Sequence, residues 1–257
     1  MIAALRYEWR RLSSIRSTWI ITAIAFAQAV GFIWLFASFT GTLLSGDGQA
    51  ITPQPTDFRT IIPFIFLPFF PLIVSTLAGQ AFGHDYRHGT IRLTLSNFPN
   101  RGQILLARVG LLLGFVTALS VVTVAVCVGI VELYSSTTGG IEWSTFAETA
   151  LKLWAYLLMY MIVCMAIVVV TRIMALGIVI PLVMVLIVEN LLVLLGMWKA
   201  EWLPRWIPFS NATAWVTSET GENEFGGDIL SGSPWPLFGL AVILTVAAFY
   251  RFLRKDA

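Results

Sequence analysis

Side chains capable of chemistry are sparse in this sequence, and the densest group of them runs from Gly83 to Arg101. Within it, His84-Asp85-Tyr86-Arg87-His88 imitates H-E-x-x-H, in which two histidines one helical turn apart ligate zinc and the acid acts as general base. The imitation is incomplete. The acid is the shorter Asp, Gly89 interrupts the helix that the motif requires, and the chain has only 2 His, so a third ligand would have to be a carboxylate outside any motif. A zinc membrane protease is one reading of the segment; contact with a soluble partner is another. Ile91, Leu93 and Leu95 alternate as in a strand, whereas Ile91 and Leu95 also share a helical face, so periodicity leaves the local structure open. In either form a basic loop with a few apolar side chains suits a docking element, and equally a positively charged loop without a partner.

Other polar candidates lie inside apolar runs. Glu189-Asn190 is the main one. An intramembrane carboxylate is costly and faces protein or water, so the pair reads either as part of a translocation pathway or as an interhelical hydrogen bond. Cys127 and Cys164 sit in apolar surroundings, form no disulfide framework and read as small apolar filler. No G-x-x-x-x-G-K-[ST] phosphate loop occurs, so the chain has no nucleotide site of that kind.

The elements that must position these residues follow from composition. The chain has 257 residues, 58% of them hydrophobic and 12% charged, with a mean hydropathy of +0.83. Soluble domains carry about 25% charged residues, which excludes an ordinary water-facing surface; disordered chains are apolar-poor, which excludes them too. Six apolar runs, at roughly 18–39, 61–82, 104–133, 153–170, 174–198 and 235–252, are long enough to span a bilayer, which takes about 20 residues each. The third exceeds what a bilayer needs and is expected to tilt or project. No ten-residue alternating pattern suggests a barrel, so the expected fold is all-α and membrane-integral. Pro63, Pro68 and Pro71 crowd one half of the second run, where each removes a backbone donor and favours a kink or a pathway-lining break.

Orientation follows from the basic residues, which concentrate in short cytoplasmic segments. With the N-terminus inside, only Arg59, Lys152, Lys199 and Arg205 of the 16 basic residues fall outside. Both termini are therefore expected in the cytoplasm. The first run exceeds a signal-peptide core and no small-residue cleavage site follows it, so it reads as a retained helix. Ahead of it, residues 2–16 place Leu5, Trp9 and Leu12 on one face and Arg6, Arg10 and Arg11 elsewhere, the pattern of a helix lying in the membrane interface. The connection at 199–234 begins with Trp202, Pro204, Trp206, Pro208 and Trp215, suited to interfacial re-entrant helices, and continues Gly-rich and acidic, suited to a loop.

The stretch Phe82-Gly83-His84-Asp85-Tyr86-Arg87-His88-Gly89-Thr90-Ile91-Arg92, followed by Pro99-Asn100-Arg101 and Leu105-Leu106-Ala107-Arg108, resembles the first cytoplasmic loop of type-2 ATP-binding-cassette (ABC) exporter permeases. The family shows an acidic, an aromatic and a basic residue before Gly-Thr-x-Arg, then Pro-x-Arg before the third span. Glu8-Trp9-Arg10-Arg11 is similar to its interfacial entry helix and Arg251-Phe252-Leu253-Arg254-Lys255 to its basic C-terminus. Asp85 departs from the commoner Glu, keeping the charge with shorter reach. The resemblance implies a six-span permease in a bacterial inner membrane that exports a drug, antibiotic, peptide or lipid. It implies assembly with a second permease copy, as a homodimer, or with a close relative, and with two cytoplasmic ATPase subunits that hold ATP and Mg; this chain is expected to hold no cofactor or metal of its own. Residues 83–103 would then be the coupling loop, with Asp85, Arg87, Gly89, Thr90, Arg92, Pro99 and Arg101 as its contact and loop-shaping set. Nucleic acid is not an expected partner. The competing reading, a secondary transporter without an ATPase, would need coupling-ion residues in its spans, for which Glu189 is the one candidate.

Overall fold

The computed structural model describes residues 2–43, 69–89, 101–134, 139–198, 202–218 and 229–255. Among these the chain is helical, with no strand. A short helix α1 (Ile2–Ser14) precedes the long α2 (Arg16–Leu43). The chain turns between them at Ile15, where Ser13 and Ser14 hydroxyls donate back to the Arg10 and Arg11 carbonyls. Such local bonds offer the backbone an alternative to helix. Then come α3 (Phe69–His88), α4 (Arg101–Leu133), α5 (Trp143–Thr171), α6 (Met174–Val183) and α7 (Glu189–Trp198), the last two joined by a π-helical turn at Met184–Val188. A 3₁₀ turn (Pro204–Trp206), the short α8 (Pro208–Thr217) and α9 (Trp235–Lys255) complete the described chain.

Among the described residues, 5 stretches are long and apolar enough to cross a membrane: Arg16–Ser38, Gly102–Leu133, Trp143–Thr171, Met174–Gly196 and Trp235–Phe252. Their outer faces are apolar as well. Val179, Ile180, Val183, Leu186, Ile187 and Leu191 are all exposed along α6 and α7, a contiguous apolar surface that water would not tolerate but lipid does. This is a multi-pass, all-α membrane protein.

Helix α5 forms its centre. It packs against α3, α6, α8 and α9, and 67% of its apolar stretch is buried, against 11% for the α6–α7 stretch. A two-residue turn at Arg172-Ile173 reverses the chain from α5 into α6, with Arg172 in the left-handed region (φ 62°) and its N–H on the Val168 carbonyl. The two helices then pack closely because Gly177 lies against Val168 and the Cys164 carbonyl. Gly79 and Gly83, one turn apart on α3, face Met174 and Ile178, one turn apart on α6. A Cβ at Gly83 would come within 2.8 Å of the Met174 Cα, so backbone meets backbone there. Small residues at this spacing are how membrane helices approach without a hydrophobic driving force between them.

The observed elements differ from the sequence expectation in several places. The interfacial helix expected at 2–16 ends at Ser14. Of the second run at 61–82, the described part begins at Phe69, so Pro63 and Pro68 lie outside the described residues. Pro71 falls in the first turn of α3 as described, where a missing N–H is tolerated. The loop expected from 83 starts only after His88, because α3 stays helical through its polar end and stops where Gly89 takes φ +66°. Helix α4, the third apolar run, has 33 residues, a length of about 50 Å at 1.5 Å per residue, and so overshoots a bilayer core as expected. Helix α5, the fourth apolar run, begins at Trp143 rather than 153. Its early turns carry Glu148 and Lys152, an i,i+4 pair at 2.6 Å, and those charges hide a helix from a search for apolar runs.

Candidate functional site

Two polar constellations stand out. The first unites α1, α3 and α4. Glu8, on the face of α1 that also buries Ala4 and Leu12, is fully buried. Asp85 is 3% exposed at the end of α3, and Arg108 is 2% exposed two turns into α4. Arg11 donates from Nε to Glu8 Oε2 (2.9 Å), from Nη1 to Asp85 Oδ1 (2.9 Å) and from Nη2 to the Ala81 carbonyl (2.6 Å). Arg108 Nη2 donates to Glu8 Oε1 at 2.6 Å and lies 2.7 Å from Asp85 Oδ2, a charge contact outside hydrogen-bonding geometry. The Arg108 guanidinium also stands 4.9 Å over the Phe82 ring. Each acid thus meets both bases and each base meets both acids, a neutral quartet in which no charge is left to face apolar surroundings alone. Next to it, Thr18 of α2 donates to Gln80 Oε1 of α3 (3.2 Å), extending the polar seam to a fourth helix.

The quartet places one of the residues expected in a coupling loop. Asp85 points into it, so its carboxylate is engaged by two guanidiniums within the chain. Of the others, Gly89 is the exposed left-handed residue that ends α3. Arg87 falls in the last turn of α3 and Arg101 opens α4, while Thr90, Arg92 and Pro99 lie outside the described residues. His84 is exposed. Among the described residues no three His, Cys, Asp or Glu side chains group to hold a metal ion. The partners Glu8, Arg11 and Arg108 were not assembled by motif reasoning, although two signals pointed to them. Glu8 is the only acid before Asp47, in a basic segment, and Arg108 is the one basic residue inside the apolar run 104–133.

The second constellation lies at Glu189. The π turn brings this residue to the start of α7, fully buried, where its Oε1 accepts the Phe209 N–H (2.9 Å) and its Oε2 accepts the Ser210 N–H and hydroxyl (both 2.7 Å). The reason lies in the sequence of α8. Its N-cap is Ile207, which has no oxygen to offer the unpaired N–H groups of the first turn, and Pro208 removes one of those donors. Glu189 supplies the missing acceptor from another helix, and its charge complements the positive end of the helix dipole. Asn211, also fully buried, ties the same corner together. Its Nδ2 donates to the Pro204 and Ile207 carbonyls (2.6 Å each), and its Oδ1 accepts from Ser231 N (2.6 Å) and Oγ (2.7 Å). Phe209 packs edge-on to Tyr160 of α5 at 5.3 Å.

Asn190 has no part in this corner. It is exposed, and its Nδ2 donates to the Val185 and Leu186 carbonyls of the π turn (3.1 and 3.0 Å). The structure therefore separates two residues that adjacency had suggested as one site. Chemically, neither constellation presents a reactive group: the quartet is charge-balanced, and the Glu189 oxygens are occupied by α8. Both do the work of fasteners. No known family model matches the chain, and no curated protein matches it either.

Proposed function

We propose that the chain is the transmembrane subunit of a type-2 ABC exporter, working as a homodimer with two cytoplasmic ATPase subunits and moving a hydrophobic or amphipathic substrate outward. In this reading α3, the described part of the second apolar run, carries the coupling loop at its cytoplasmic end. The observation that carries the reading is the position of the family-like motif. The segment from Phe82 to Gly89 forms the helix end that the quartet clamps to α1 and α4, and the rest of the motif follows it in sequence. A force applied to the loop would reach three helices at once through Asp85, which is what a coupling element requires. Glu189 gives the secondary-transporter alternative little support, since a carboxylate held by three donors from α8 is not free to bind and release an ion.

The test is co-purification with an ABC ATPase subunit, followed by ligand-stimulated ATP hydrolysis in the wild type and in an Arg92→Glu/Gly89→Pro variant. Proline fixes φ near −65° and cannot adopt the +66° of Gly89, and Glu reverses the charge at Arg92. The variant should lose ligand-stimulated turnover and transport. Wild-type assembly and transport in that variant would overturn the coupling assignment.

A further inference from the structure

A groove of about 740 Å³ between α1, α2 and α4 belongs to neither polar constellation. Its walls are almost wholly apolar, formed by Leu5 and Trp9 of α1, Trp19 and Phe26 of α2, and Gly114 and Phe115 of α4. The cleft exists because α4 presents Gly110, Gly114 and Ala118 at successive turns, where other side chains would form a ridge. A Cβ at Gly110 or Gly114 meets nothing within 4 Å. Its opposite wall is braced: the Trp19 indole N–H donates to the Ser13 carbonyl at 2.9 Å, and the ring stands edge-on to Phe115 at 6.5 Å.

The charge beside this groove is one-sided. Glu8, the only acid on α1, is withdrawn into the quartet together with Arg11. Arg6, Arg10 and Arg16 remain exposed, with no acid partner among the described residues. Arg6 and Arg10 follow Leu5 and Trp9 directly in sequence, about 100° further round α1, so the cationic face borders the face that lines the groove. An apolar cleft with guanidiniums at its edge, on a helix of interfacial pattern, matches one amphiphile in shape and charge.

We propose that the groove holds an acyl chain of an anionic phospholipid, with its head group against Arg6 and Arg10. The bound lipid wedges α1 against α2 and α4 and so completes the packing of the entry helix. The site is independent of whether the chain couples to an ATPase.

The test uses the full chain purified in mixed micelles of equal phosphatidylglycerol and phosphatidylcholine, with retained lipid counted by native mass spectrometry. Two surface arginines predict a phosphatidylglycerol preference of roughly tenfold or more. Arg6→Gln/Arg10→Gln should bring the ratio to about one. Gly110→Leu/Gly114→Leu, which leaves every charge in place, should lower retained phosphatidylglycerol because the added side chains fill the groove. Glycerol phosphate, which has the head-group charge without the chain, should not displace the lipid. Equal retention of both lipids by the wild type, as expected if a second copy of the chain fills the groove, overturns the proposal. So does an unchanged ratio in the arginine variant, unchanged retention in the leucine variant, or displacement by glycerol phosphate.

Discussion

Removing Arg108 is the sharpest perturbation of the buried quartet. Its side chain is 3% exposed, and it meets Glu8 at 2.6 Å and Asp85 at 2.7 Å. Arg108→Met keeps the length and apolar stem while deleting one positive charge, so Glu8 and Asp85 are left with Arg11 alone and the cluster carries a net charge of about −1 in surroundings that exclude water. Breaking a buried pair in this way costs about 3–5 kcal/mol. Arg11→Met deletes the same charge, but that side chain is 14% exposed, so water reaches the vacated position and the loss is closer to the ~1.5–3 kcal/mol of hydrogen bonds to charged groups. The decisive variant is Arg108→Met combined with Glu8→Gln, which restores neutrality. It should recover most of the stability lost in Arg108→Met, since a neutral buried replacement is often no worse than the original ions. The assay is unfolding of the purified chain in mixed micelles, read as a double-mutant cycle with both single variants. Additive losses, with the double variant less stable than Arg108→Met, would refute the account of a charge-balanced quartet.

Two further perturbations address the helix contacts. Gly83→Ala should destabilise by about 1–3 kcal/mol, the usual cost of overpacking, because its Cβ would press on the Met174 backbone; Gly79→Ala meets Met174 and Ile178 side chains at an ordinary 3.4 Å and should be nearly neutral in the same unfolding assay. Glu189→Leu leaves the Phe209 and Ser210 N–H groups without their acceptor, at about 1–3 kcal/mol for each unsatisfied donor, while Glu189→Gln should lose less because one side-chain oxygen remains. Limited proteolysis of the 199–234 connection should show faster cleavage in Glu189→Leu than in Glu189→Gln, and equal rates would contradict the capping role.

What the sequence made legible tracks what depends on local composition. The apolar runs at 104–133 and 235–252 match α4 and α9 closely because burial in lipid needs only length and hydropathy. The start of α5 was missed because Glu148 and Lys152 satisfy each other along the helix, an effect invisible to an average over apolar residues. The π turn was missed because Met184–Val188 is as apolar as its surroundings, and the contact that follows it, Glu189 with α8, spans 20 residues in sequence. The quartet is more distant still, with 74 residues between Arg11 and Asp85 and 100 between Glu8 and Arg108. Charges on three separate helices cannot be matched by spacing. Their oddity is local, however: a lone acid among arginines and an arginine set within an apolar run each ask for a partner.

Of the described apolar stretches α6–α7 is the least buried, and its contacts with α3 and α8 have a mechanical consequence under the exporter reading. Helix α3 carries Asp85 into the quartet and, through Gly79 and Gly83, bears directly on α6. Beyond that contact α6 is weakened by Pro181, whose ring removes a helix donor, and then by the π turn. Immediately after that turn, at its first residue, α7 holds α8 through Glu189. A displacement entering at the cytoplasmic end of α3 therefore has a path of packed backbone and hydrogen bonds to α8, interrupted in the middle by Pro181 and the π turn. Gly83→Ala and Glu189→Leu cut this path at opposite ends. Both should lower transport more than they lower ligand-independent ATP hydrolysis by the assembled complex, and transport at wild-type rates in either variant would remove α6–α7 from the path.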